Sequence, residues 1–148
     1  MFWGCFSSFG VGELHEIDGI LTGQGYADIL KGPYQNSIKN LNILEPMLLE
    51  DNDPKHTSSI ANKTKNENNL VKVSNFPPNS PDLNPIEELW SIWDKAVHQR
   101  KPSNLNQLRS FAQEEWRKIN PDILKNIVLS IPQRLHAVIK NNGGHTDY

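Results

Sequence analysis

Two junctions in the 148-residue chain place carboxylates beside a proline at a point where a helix should begin. The first reads Glu50-Asp51-Asn52-Asp53-Pro54-Lys55-His56-Thr57 and follows the apolar run Met47-Leu48-Leu49. Proline suits the first helical position, because an N–H there would have no partner within the helix anyway. Pro54 therefore makes Asp53 the expected N-cap, its carboxylate occupied with backbone N–H groups. Asp51 is left at the end of a strand, at the carboxyl edge where open α/β sheets place their ligands. The second junction is Ser80-Pro81-Asp82-Leu83-Asn84-Pro85-Ile86-Glu87-Glu88. Asn84 caps, Pro85 takes the first helical position, and at about 100° per residue Glu87 lies at the edge of an apolar stripe while Glu88 points to water. Glu87 either faces a cleft or reaches back to the Asn84 backbone as a capping-box residue, and the residues alone leave both open.

Asp51 and Glu87 together would suit hard divalent cations. Magnesium takes oxygen ligands, usually one or two carboxylates with water and substrate phosphates. Two such ions, about 3.5–4 Å apart, can activate an attacking oxygen and stabilise a leaving one in phosphoryl transfer. A strand-end aspartate and a helix-start glutamate are rigid supports for that chemistry, although two carboxylates alone form a weak signal.

The elements that must carry these residues follow from pattern. Phe2 to Ser8 is aromatic and ends in small residues, which predicts a strand. Gly10-Val11-Gly12 predicts a turn, and Glu13 to Ile20 a second strand, so the two form a hairpin. Thr22 caps a helix that buries Tyr26, Ile29 and Leu30, and Gly32-Pro33 should break or end it. Met47–Leu49 and Leu70–Val73 are short enough to be buried strands. Ile86, Leu89, Trp90, Trp93 and Val97 form one helical stripe. Leu105, Leu108, Phe111, Ala112, Trp116 and Ile119 form another, and Asp122 to Lys140 stays in helical phase with a kink or break at Pro132. Strands first, interleaved helices and a helical tail predict an α/β sheet domain.

Composition removes several function classes. Fifteen Lys and Arg stand against 17 Asp and Glu, a net charge of −2, unlike the strongly basic balance of a nucleic-acid module. The bias is local: residues 88–140 carry nine Lys or Arg against five acids. A solvated helical face is the default reading of such cations, which include Lys95, Arg100, Lys101, Arg109, Arg117 and Lys118, with phosphate contact the alternative. One cysteine, Cys5, excludes a disulfide framework and a paired-cysteine zinc site. No apolar run approaches the roughly 20 residues of a membrane span, and the first residues lack a signal-peptide pattern. The chain reads as soluble and intracellular. His56 reads as a helix-surface histidine, and His15, His98, His136 and His145 show no ligand spacing. Trp90 and Trp93 read as core, and Cys5 as a small core residue.

Five words in order along the chain carry a family resemblance: Trp3-Gly4-Cys5-Phe6-Ser7, Ile17-Asp18-Gly19, Asp51-Asn52-Asp53-Pro54-Lys55-His56-Thr57-Ser58, Ser80-Pro81-Asp82-Leu83-Asn84-Pro85-Ile86-Glu87 and Gly143-Gly144-His145-Thr146. On these the chain resembles the Tc/mariner superfamily of transposases, in its Tc-like branch. The resemblance implies an RNase H-like, retroviral-integrase-like fold with a mixed sheet and helices, followed by a helical C-terminal tail. Residues 1–101 would be the remainder of the RNase H-like core and 102–148 the helical extension. The family's second catalytic aspartate falls on Asp51 and its third acid on Glu87, implying Mg or Mn held in pairs. The 35 residues between them exceed the family spacing by one, a cheap change in a loop.

The same resemblance implies DNA as partner, both transposon ends and target, with no membrane, a nuclear location, and room for a homodimer in a full-length relative. Water would attack the phosphodiester at the transposon end, and the freed 3′-hydroxyl would then attack target DNA. The family's first catalytic aspartate lies on a strand upstream of the Trp3-Gly4 segment. The resemblance therefore implies that a first central strand is missing from this chain, leaving unpaired sheet edges. It further implies a chain that is inactive and poorly stable alone. Three functions stay open: part of a DNA transposase, a non-catalytic transposon remnant with weak nucleic-acid binding, and an RNase H-like nuclease that hydrolyses without joining.

Overall fold

The computed structural model describes residues 1–78, 80–144 and 146. A hairpin comes first, β1 (Phe2–Ser7) paired with β2 (Gly10–Glu16). Its turn is Ser8-Phe9, where the Phe9 N–H donates to Ser7 Oγ at 3.1 Å, so Gly10–Gly12 is strand where a turn was expected. Gly12 is there for space. A Cβ on it would lie 2.5 Å from Ser37 Oγ and 2.6 Å from Cys5 Sγ, closer than any real side chain sits.

Chain contacts divide the molecule into two compact units, one built on residues 1–5 and 12–79, the other on 6–11 and 80–148. In the first unit Thr22 caps α1 (Gly23–Ile29) as its sequence indicated, its hydroxyl accepting the Gly25 N–H at 3.0 Å. Gly32-Pro33 does not end the helix. The chain passes through a π-helical turn, Leu30–Tyr34, and continues as α2 (Gln35–Asn40). Proline removes one N–H and crowds the carbonyl four residues back, and a wider turn relieves both faults. Ser37 then ties the segment down, donating to the Pro33 carbonyl at 2.6 Å and accepting the Glu13 N–H at 2.9 Å.

A βαβ unit follows: β3 (Met47–Leu48), α3 (Ser59–Glu67) and β4 (Val71–Lys72). The strands are parallel, with Met47 opposite Val71 and Leu48 opposite Lys72. The Val73 N–H extends the ladder to the Leu48 carbonyl at 2.9 Å. The core of this unit is Leu21, Tyr26, Ile29, Leu30, Tyr34, Leu48 and Ala61, with Trp3, Cys5, Ile17, Ile38 and Leu70 packed against it. Gly23 lets α1 approach the start of α3, because a Cβ there would sit 2.6 Å from Ser58 Oγ.

The second unit is helical: a 3₁₀ turn (Pro81–Leu83), then α4 (Pro85–Gln99), α5 (Leu105–Arg117), α6 (Pro121–Leu129) and α7 (Ile131–Lys140). Asparagines cap the first three of these helices, at Asn84, Asn104 and Asn120. Pro132 lies in the first turn of α7, which is the break its sequence implied. Leu83, Leu89, Val97, Ala112, Trp116, Leu124 and Ile127 are buried. Trp116 stacks on Trp90 with ring centres 5.1 Å apart and meets Trp93 edge-on at 6.2 Å. The Trp93 indole N–H donates to the Ala112 carbonyl at 2.9 Å. Trp116 is buried, and Trp90 and Trp93, half-buried, pack against it from the stripe their helical spacing indicated. No helix of the described residues is long and apolar enough to cross a membrane.

Two outcomes follow. Trp116→Ala removes the centre of the aromatic cluster and should lower unfolding free energy by about 3–5 kcal/mol, read from denaturant unfolding. Burial pushes the Cys5 thiol up to about 11, the Ser37 hydrogen bond pulling the other way. Only the thiolate reacts with alkylating reagents. At pH 8 iodoacetamide should therefore modify Cys5 at least tenfold more slowly in the folded chain than in urea, and the folded rate should keep rising with pH towards 11.

Candidate active site around Asp51

Period-2 alternation builds this site. Along the strand and its continuation Leu48 and Glu50 are buried while Met47 and Asp51 are exposed. The Asp51 side chain is half exposed, at 50%. Its Oδ1 accepts two hydrogen bonds, from the Asp53 backbone N–H at 3.0 Å and from His56 Nδ1 at 2.6 Å. A carboxylate oxygen only accepts, so Nδ1 carries the hydrogen. Oδ2 takes no hydrogen bond among the described residues.

Asp53 is structural, but not as the cap of a helix beginning at Pro54. Its Oδ1 accepts the Lys55 N–H at 2.8 Å and Oδ2 takes the Lys55 ammonium at 2.7 Å. That lysine holds the Asp53 carboxyl below its ordinary range. The Asp53 carbonyl accepts the His56 and Thr57 N–H groups at 2.9 and 3.1 Å, closing one isolated turn. The helix starts later, at Ser59, and Ser58 is its cap. The intervening turn is what brings His56 back to Asp51, so His56 is not a helix-surface residue. Its ring packs on Tyr26 with centres 4.2 Å apart. Asn52 anchors the other side of the loop, its amide donating to the Phe76 carbonyl at 2.7 Å.

Beneath Asp51 lies a buried charged network that the sequence analysis missed. The Glu50 carboxylate accepts the Tyr26 hydroxyl hydrogen at 2.5 Å and the Lys65 ammonium. A second ammonium, that of Lys72, lies 3.5 Å from Glu50 Oε1. Lys65 is 5% exposed and also donates to the His56 carbonyl at 2.7 Å. Buried charges cost several kcal/mol each to desolvate and persist only when paired and hydrogen-bonded. Burial, followed by the facing Glu50 charge, drives the Tyr26 phenol well above its ordinary value. The alternation through Leu48, Glu50 and Asp51 was the available signal: with Asp51 facing out, Glu50 must face in.

Glu87 lies in the second unit, exposed in the first turn of α4, its backbone N–H bonded to the Asn84 carbonyl at 3.1 Å. Asn84 does cap this helix, accepting the Ile86 N–H at 3.4 Å. Glu88 does not simply face water as expected. Its carboxylate pairs with Arg134, whose side chain is 3% exposed. Arg134 also donates to the Asp82 carbonyl at 3.1 Å and to Ser130 Oγ at 2.8 Å. The helical phase was read correctly, but α7 supplies a buried cation that needed an anion. Asp82 in turn accepts the Thr146 hydroxyl hydrogen at 2.9 Å and the Thr146 N–H at 3.2 Å. His145 lies outside the described residues.

Among the C-terminal cations, Arg100 is engaged with Glu114 and Glu115 at 2.7 and 3.0 Å and lies over the Phe111 ring, and Lys118 pairs with Glu115 at 2.8 Å. Among the described residues no three acids, histidines or cysteines come together in a group that could hold a metal ion. The Asp51 donor set still suits one ligand of a hard divalent cation. It offers a carboxylate oxygen to solvent while the other is fixed by hydrogen bonds, and ligating carboxylates are usually held in that way.

The family model for DDE superfamily endonucleases matches residues 28–109. The Tcb2 transposase of Caenorhabditis briggsae is 34% identical over 148 residues, all of this chain and 54% of the relative. The Tc1 transposase of Caenorhabditis elegans is 32% identical over 149 residues, again 100% of this chain and 54% of the relative. The chain thus spans about half the length of these relatives. Among solved structures, the Mos1 transposase catalytic domain with Raltegravir and Mg superposes with a TM-score of 0.86 at 15% identity, covering 97% of this chain and 75% of that one. The Mos1 mariner paired-end complex with Mn gives 0.83 at 17% identity, covering 95% of this chain and 43% of that one. The fold is therefore RNase H-like, with small sheets among helices, as the resemblance implied. On its family match the chain belongs to the DDE superfamily endonucleases, and over its whole length it is similar to the Tc-type transposases.

Proposed function

We propose that the chain is part of the catalytic domain of a Tc-like DNA transposase, in which Asp51 and Glu87 are two of the carboxylates that bind Mg or Mn. The observation that carries this reading is the state of Asp51. It stands just past β3 with one oxygen held by His56 and the Asp53 N–H and the other presented to solvent. Glu87 supports it from the first turn of a helix capped by Asn84 and opened by Pro85. The solved Mos1 structures are described with Mg and with Mn, and one as a complex with a transposon end. When bound, such ions would activate an attacking oxygen and stabilise the leaving one.

The chain's own residues hold, orient and exclude. His56 and the Asp53 N–H fix which Asp51 oxygen faces outward. Among the described residues, neither Ser58 nor Cys5 is set up as a nucleophile. Ser58 Oγ is committed to the Lys55 carbonyl at 3.0 Å and to the cap of α3, and Cys5 is a partly buried thiol pushed up to about 11. As in the transposases the chain resembles, the attacking groups are water and a DNA 3′-hydroxyl, the substrates are transposon-end and target DNA, and the activity belongs in the nucleus. Residues 1–101 serve as the RNase H-like part and 102–148 as a helical extension.

Calorimetric titration of the purified chain with Mn should show binding that weakens at least tenfold in Asp51→Asn and in Glu87→Gln, with thermal unfolding unchanged in both. Binding unaffected by Asp51→Asn would contradict the assignment. With a transposon-end duplex and target DNA, joined products identify a transposase, hydrolysed ends alone a nuclease.

A further inference from the structure

The buried Glu50–Lys65–Tyr26 cluster does more than neutralise charge. Its contacts form a closed ring with Asp51 in it. Glu50 is joined to Asp51 through the chain, and its carboxylate binds the Lys65 ammonium. Lys65 Nζ donates to the His56 carbonyl at 2.7 Å, and His56 Nδ1 binds Asp51 Oδ1 at 2.6 Å. Tyr26 braces the ring from inside, with its hydroxyl on Glu50 Oε2 at 2.5 Å and its ring against the His56 imidazole. The rest of the turn has other ties, the Asp53 carbonyl accepting the His56 and Thr57 N–H groups and the Asn62 amide donating to the Thr57 carbonyl at 2.9 Å, but Lys65 is the group that holds the His56 carbonyl itself.

We infer that Lys65 is a positioning residue for Asp51, acting through the His56 main chain, with Glu50 and Tyr26 as its buried anchors. This deepens the metal-site reading of Asp51 and rests on it for its consequence, though not for its geometry. Two details favour positioning over plain charge balance. Lys72 already lies 3.5 Å from Glu50, so the carboxylate has a second cation that makes no contact with His56. Lys65 divides its hydrogens between the anion and a backbone carbonyl on the loop that carries the imidazole. Partners that orient a metal-ligating side chain typically change metal affinity 10- to 100-fold when removed.

The test uses the 148-residue chain as wild type, Lys65→Met, Lys65→Arg, the charge-neutral pair Glu50→Gln with Lys65→Met, and Asp51→Asn. One readout needs no metal: amide hydrogen exchange at Asp53, whose N–H reports the Asp51 carboxylate at 3.0 Å, normalised to the Tyr26 amide in α1. The other is Mn affinity. Positioning predicts that Lys65→Met and the double variant exchange the Asp53 amide at least fivefold faster relative to Tyr26 and bind Mn about tenfold more weakly. Lys65→Arg should restore most of both. Equal acceleration at Asp53 and Tyr26, or an unchanged Asp53 ratio, overturns the inference and leaves the network as packing. If Asp51→Asn leaves Mn binding intact, or the wild type binds none, the metal reading fails instead, and the Asp53 ratio still decides the positioning role.

Discussion

The first unit depends on one buried carboxylate. Glu50 stands where strand alternation forces it inward, directly beside a residue that must face solvent. A carboxylate in that position cannot remain without partners, so the surrounding elements supply them: Tyr26 from α1, Lys65 from α3 and Lys72 from β4. Each of these elements is short, and β3 and β4 are two residues apiece. Ladder hydrogen bonds alone would hold them poorly. The polar cluster and the apolar core around Leu30, Leu48 and Ala61 act together to fix the helix and strands. A buried ion pair is weak support for net stability, and its better attested use is to specify one arrangement. Here that arrangement points Glu50 in and Asp51 out.

The second unit solves a similar problem with the charges exchanged. Arg134 on α7 is buried, and it is satisfied by Glu88, by the Asp82 carbonyl and by Ser130. Asp82 then receives Thr146 from the C-terminal segment. The Ser80–Glu87 word and the Gly-Gly-His-Thr word, 64 residues apart at Asp82 and Thr146, are thus in hydrogen-bond contact. The first turn of α4, which bears Glu87, is fastened at its base by α7 and by the tail.

Much of this was legible in the sequence because it rests on local rules. Thr22, Asn84 and Pro85 announced helix starts, the α4 stripe announced its buried face, and strand-end placement singled out Asp51. Gly32-Pro33 signals a break or an end, and the outcome is a break alone: Ser37 and a π turn carry the chain on into α2. The failures share one cause, a tertiary contact that overrides a local signal. Gly12 was read as a turn residue, yet it is a strand position crowded by Ser37 and Cys5. Pro54 was read as a helix start, yet Asp53 closes a lone turn and Ser58 begins the helix. Glu88 was read as solvated, yet Arg134 lies 46 residues on. His56, Tyr26 and Lys65 could not be linked to Asp51 from sequence, since none shares a periodic pattern with it.

In the proposed site Asp51 Oδ2 would face the metal, with Oδ1 held from behind by His56 and the Asp53 N–H. The most direct measurement is a crystal structure of the chain grown with Mn, with anomalous scattering used to locate the ion. The account predicts an anomalous peak at metal–oxygen bonding distance from Asp51 Oδ2, with the His56 contact to Oδ1 preserved. A peak bound elsewhere, or an Asp51 carboxylate turned inward away from the ion, would contradict it.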